Sequence, residues 1–143
     1  MTRLNDVGAR LAVEAGATGC TDVTGFGLLG HLGRMSVESD VRCAVDFDAL
    51  PFVPGAPEHA RAGIVPGGSR RNLDWGSEML DAGDHDEVDQ LLFADAQTSG
   101  GLIFGVAPDR SADILDELAA TGHTAARIGS TESADGAPGI TLR

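Results

Sequence analysis

One carboxylate, two threonine hydroxyls and three glycines crowd into the eleven residues Thr21-Asp22-Val23-Thr24-Gly25-Phe26-Gly27-Leu28-Leu29-Gly30-His31. Glycines at 25, 27 and 30 let backbone amides come close to a ligand, because they carry no Cβ. The apolar run that follows reads as a helix, and a helix N-terminus offers unpaired N–H groups and a partial positive charge. Asp22 is suited to a hard cation such as Mg²⁺, which takes oxygen ligands and often bridges a carboxylate and phosphates. The chemistry read from this spacing is therefore a metal–phosphate site. The same spacing also fits a tight turn with an Asp cap.

Two further stretches carry polar groups on glycine-rich backbone. In Val65-Pro66-Gly67-Gly68-Ser69-Arg70-Arg71-Asn72, the glycines, both arginines and Asn72 are candidates for an anion, since guanidinium is a planar fork of donors. The alternative is that Arg70 or Arg71 pairs with surface carboxylates. Asp95-Ala96-Gln97-Thr98-Ser99-Gly100-Gly101-Leu102 makes a tight turn into an apolar run. His31 has two readings, a histidine capping or packing at the surface and a phosphate-facing one. Cys20, two residues before Asp22, has no basic neighbour in sequence and reads as a bystander thiol. The acidic run Asp81, Asp84, Asp86, Glu87, Asp89 lacks the glycine and ligand register of an EF-hand, and reads as a solvated loop entering a helix.

The elements that must position these groups follow from periodicity. Leu4, Val7, Leu11 and Val13 predict an amphipathic helix over 3–15, stopped by Gly16. Phe26, Leu28, Leu29, Leu32 and Met35 predict a helix over 27–38, in which Gly30 and Gly33 require close packing against a neighbour. Alternation through Val41–Phe47 predicts a strand with Cys43, Val45 and Phe47 on one face. A short helix is expected at 57–62, a structured loop over 63–77 with Trp75 packed, and a helix at 86–93. A strand at 102–107 follows, then a helix begun by Pro108 and ended by Gly122. Closing strands are expected at 124–129 and 140–142. This order predicts an α+β fold, a mixed sheet with helices mainly on one face.

The chain of 143 residues is long enough for one domain with a real core. No apolar stretch reaches membrane-span length, and the charged start does not read as a secretory signal. Two cysteines without metal spacing make a cytoplasmic location the default. The 22 acidic residues against 10 basic ones, all arginine, give a net charge of -12. That balance argues against a nucleic-acid partner, which needs a basic face. It also fits adaptation to high salt, where the Debye length falls to ~3 Å at 1 M. A GC-rich genome is the other source of an Arg-for-Lys bias.

The three strings, in this order along the chain, resemble the C-terminal domain of selenophosphate synthetase (selenide, water dikinase), within the aminoimidazole ribonucleotide synthetase superfamily. The resemblance covers nearly the whole chain. It implies one C-terminal-type domain over 1–143 with the superfamily's C-terminal fold. It further implies ATP-dependent conversion of selenide to selenophosphate, with AMP and phosphate as co-products. Asp22 would then be a Mg²⁺ ligand, and Thr24, Gly25 and Gly27 would shape the loop around the phosphates of ATP. A homodimer is implied for the full-length protein.

Two departures matter. The family carries Pro where Ala96 stands, which loosens that turn. The family's N-terminal ATP-binding domain, with its catalytic lysine and reactive cysteine or selenocysteine, is absent from this sequence, which has no lysine at all. The chain is then expected to be a fragment or a split half, inactive alone and with no catalytic residue assigned to it. The alternatives are a non-catalytic remnant or interaction module of the same fold, and another member of the superfamily, such as the ribonucleotide synthetase or a hydrogenase-maturation protein.

Overall fold

The structure is a computed structural model that describes residues 4–143. Residues 1–3 lie outside the described residues, and with them the start of the helix predicted over 3–15. The elements are α1 (Asp6–Glu14), β1 (Gly19–Asp22), α2 (Gly27–Ser39), β2 (Val41–Val45), α3 (Ala56–Arg61) and α4 (Gly67–Gly76). They continue with β3 (Leu80–Asp81), α5 (Glu87–Phe93), β4 (Leu102–Gly105), α6 (Ser111–Ala120), β5 (Gly129–Ser133) and β6 (Gly139–Leu142).

The strands form two sheets. β1 and β4 make an antiparallel ribbon with Asp22 opposite Leu102. The larger sheet has the order β3-β6-β2-β5, with β3, β6 and β2 parallel and β5 antiparallel to β2. The expected mixed sheet is thus present. Helix α2 lies across β2 and β6, and α4 and α5 pack on α2.

The main core joins Leu29 and Leu32 of α2 to Cys43 and Val45 of β2, Phe93 of α5, and Ile140 and Leu142 of β6. Leu29 and Ile140 are fully buried, and each such side chain contributes roughly 1.5–3 kcal/mol. Cys43, Val45 and Phe47 are all buried, so the expected shared face holds, although the strand ends at Val45 and Phe47 opens a single 3₁₀ turn. The close packing expected at Gly33 is also found. A β-carbon there would stand 3.0 Å from the terminal methyl of Met79. A smaller core sets Leu11 of α1 against Ile114 and Leu118 of α6, with Phe104 of the ribbon packed on it.

Three expectations need correction. The expected loop over 63–77 contains α4, which opens after Pro66 and buries Ser69 and Gly76 instead of a row of large apolar residues. Trp75 is not packed away, since its side chain is 59% exposed. The strand expected at 124–129 begins only at Gly129, as polar β5 on the edge of the sheet, and β2 separates it from β6.

Candidate functional site

Asp22 ends β1, and its side chain is exposed. The chain then turns inward at buried Val23, whose amide donates to the Gly101 carbonyl at 2.9 Å. That bond extends the β1–β4 ladder by one step and sets the Asp22 loop directly against the 95–101 turn. The Thr24 carbonyl accepts from the Gln97 amide at 3.0 Å and from the Gly27 amide at 3.0 Å. Gly27 has φ +67, in the left-handed region, and a β-carbon on it would stand 2.5 Å from the Ala94 oxygen. The Asp22 string can fold onto the 94–97 turn only with glycine at this position.

The 65–72 string closes the arrangement. Asn72 of α4 donates to the Gly25 carbonyl at 2.9 Å and to the Ala94 carbonyl at 3.0 Å. Fully buried Ser69 donates to Asp95. All three stretches singled out by residue type therefore meet at one place.

Thr24 and His31 pair through Thr24 Oγ1 and His31 Nε2 at 3.0 Å, across one turn of the α2 entrance. His31 is half-buried with its ring 6.0 Å from Phe26, so it is tied to the loop it follows. Phe26 is 62% exposed and lies 6.2 Å from Trp75, giving an open aromatic pair beside the loop. Arg70 pairs with Glu87 at 3.6 Å, the surface role weighed for one of the two arginines. The Arg71 guanidinium folds back over the α4 start, 3.5 Å from where a Gly67 β-carbon would be. The anion role suggested for Asn72 does not survive, because its amide donors face two carbonyls.

Cys20 is exposed and lines a surface cleft with His31, Arg34, Met35 and Glu38. Partial burial, then the charge of Asp22, push its thiol up from the ordinary value. That is the opposite of an activated nucleophile and fits the bystander reading.

The donor chemistry on offer is oxygen. Gly25 and Gly27 leave a main-chain loop beside the Asp22 carboxylate, a set that fits Mg²⁺ rather than a soft metal. One carboxylate is far from a complete shell. Among the described residues no group of three or more His, Cys, Asp or Glu side chains is placed to hold a metal ion.

Residues 1–139 match the family described as AIR synthase related protein, C-terminal domain. The chain belongs to this family. Proteins that resemble it in sequence include several named selenide, water dikinase. The one from Yersinia pseudotuberculosis is 41% identical over 135 residues, 94% of this chain and 38% of that protein. The one from Carboxydothermus hydrogenoformans is 39% identical over 90% of this chain and 38% of its own length. The one from Pseudomonas aeruginosa is 43% identical over 90% of this chain and 37% of its own length. The chain thus spans under two fifths of the curated relatives it matches. Among solved structures, a thiamine-monophosphate kinase from Stenotrophomonas maltophilia superposes with a TM-score of 0.52 at 21% identity, covering 88% of this chain and 31% of that one. That likeness supports the AIR synthase-related fold.

Proposed function

We propose that this chain is the C-terminal half of a selenide, water dikinase. The reaction takes selenide, ATP and water to selenophosphate, AMP and phosphate. One phosphoryl group of ATP joins selenium, and a second goes to water. The observation that carries the reading is the open Asp22 carboxylate beside a glycine loop on which three family-like strings converge, in a chain whose named relatives are selenide, water dikinases.

In this reading Asp22 supplies one oxygen ligand to Mg²⁺, and the remaining ligands come from an N-terminal ATP-binding domain. Bound Mg²⁺ offsets the charge of the triphosphate. Gly25, with open space over it, lets phosphate oxygens approach the main chain, Gly27 seats that loop on the Ala94 carbonyl, and the α2 N-terminus adds its partial positive charge. Thr24, held by His31 and by its own carbonyl bonds, fixes the height of the loop. The full assembly is a cytoplasmic homodimer.

The test is complementation. The chain is mixed with the N-terminal part of the Yersinia pseudotuberculosis relative, and AMP formation from ATP is followed with and without selenide. Selenide-dependent AMP in the mixture, and none from the chain alone, is expected. ATP turnover by the chain alone, or a silent mixture beside an active full-length relative, would overturn the reading.

A further inference from the structure

Standing on α4, Asn72 hydrogen-bonds both the Asp22 loop and Ala94, the residue just before the 95–102 turn. Its amide nitrogen reaches the Gly25 carbonyl, 47 residues earlier, and the Ala94 carbonyl, 22 residues later. Only the N–H₂ end of an asparagine can face two carbonyl oxygens, so both donors are in use and its remaining polar atom is an acceptor. We infer that Asn72 is a positioning residue for the Asp22 loop, clamping Gly25 and Ala94 so that Gly27 stays seated on the 94–97 turn. The seat is narrow, because the space over the Ala94 and Asp95 oxygens admits no side chain at Gly27. If Ala94 moves, Gly27 loses its floor, and Thr24 loses the geometry of its bond from Gln97. The importance of this loop for magnesium and phosphate rests on the proposed function, but the clamp itself does not.

Trp75 supplies a spectroscopic reporter. It is the only tryptophan, three residues beyond Asn72, and its ring lies 6.2 Å from Phe26 at the α2 entrance. Release of the loop from α4 separates the pair and exposes the indole further.

The experiment uses the intact chain with Asn72→Ala and Asn72→Asp. Asn72→Asp is nearly isosteric but brings an acceptor against two carbonyls, so a clamp predicts that it is the worse of the two. Amide exchange at Gly27 and Gln97 is expected to rise at least ~10-fold in Asn72→Ala and further in Asn72→Asp, with Cys43 and Ile140 in the main sheet unchanged. Trp75 emission is expected to shift to the red in both variants. Asn72→Ser carries the same measurement if Asn72→Asp does not fold. Unchanged exchange at Gly27 and Gln97 in the variants that fold overturns the clamp, as does wild-type exchange in Asn72→Asp. Millimolar Mn²⁺ added to the wild-type chain assembled with an N-terminal ATP-binding domain and ATP separates the two claims. Selective broadening of the amides at 22–25 supports the metal reading of Asp22. Its absence counts against that reading, and the exchange result still decides the role of Asn72.

Discussion

Gly27 rests on the carbonyl of Ala94 so closely that a β-carbon would stand 2.5 Å from that oxygen. Residues 67 positions apart in sequence are thereby locked into one loop pair beside Asp22. With φ +67 as well, Gly27→Ala meets both a steric and a backbone penalty. The expected loss is about 2–4 kcal/mol in urea unfolding. Gly25→Ala is the control, because nothing lies within 4 Å of a β-carbon there. Equal stability of the two variants would refute the seat.

Asp22 and Cys20 stand on the same side of β1, and the Asp22 charge helps to raise the Cys20 thiol, after burial. A raised pKa means less thiolate at neutral pH. Alkylation of native protein at pH 7 should therefore be slow at Cys20 and climb through pH 9, while buried Cys43 reacts only on unfolding. Asp22→Asn removes one cause and should speed labelling of Cys20 a few-fold at pH 8. An unchanged rate would show that the two groups do not interact.

Asp86 caps α5 by accepting from the Asp89 amide at 3.0 Å, and Arg61 stands 3.3 Å away. The Asp89 amide is the largest cause of a carboxyl held below its ordinary 3.8; burial opposes it and Arg61 adds to it. A depressed folded value stabilises above the unfolded pKa and is lost as pH falls through the folded one. Asp86→Ala should thus lower the melting midpoint at pH 7, with the gap to wild type closing towards pH 2. Asp86→Asn, which keeps a cap acceptor, should lose less. A gap that is constant with pH would contradict this assignment.

How much was legible in the sequence depended on where the signal lay. Helices α2, α5 and α6 announce themselves because their apolar residues recur at helical spacing and face a core. Helix α4 does not. Gly67 and Gly68 open it, and its buried positions are Ser69 and Gly76, so no apolar period marks it. Strand β5 is polar throughout because it is an edge with little to bury. The strand order was illegible for a different reason: Cys43 pairs with Ile140, and nothing local encodes so distant a partner. At the site, the three strings were visible by residue type. Their meeting was not, since it depends on Asn72 reaching Gly25 and Ala94 through space. Trp75 looked like a core residue by chemistry, but it is exposed beside Phe26.

The charge of -12 spread over 22 acids makes a salt prediction. Most of the cations that face these acids are surface arginines, as in the Arg10 pairs with Glu14 and Glu117, which offset little of the repulsion. At 1 M salt the screening length is ~3 Å, so the repulsion is quenched. The melting midpoint is expected to rise by roughly 5 °C or more between 50 mM and 1 M NaCl. A midpoint independent of salt would remove the high-salt reading.

The most direct test of the account is a Mg²⁺ titration of the chain assembled with an N-terminal ATP-binding domain, comparing wild type with Asp22→Asn. Asp22 is exposed, and its carboxylate makes no hydrogen bond or ion pair among the described residues, so the substitution should leave the melting midpoint within about 1 °C. Half-saturating Mg²⁺ is expected to rise at least about tenfold, or turnover to fall by about a hundredfold at all Mg²⁺ concentrations. Superimposable titrations at wild-type turnover would contradict it.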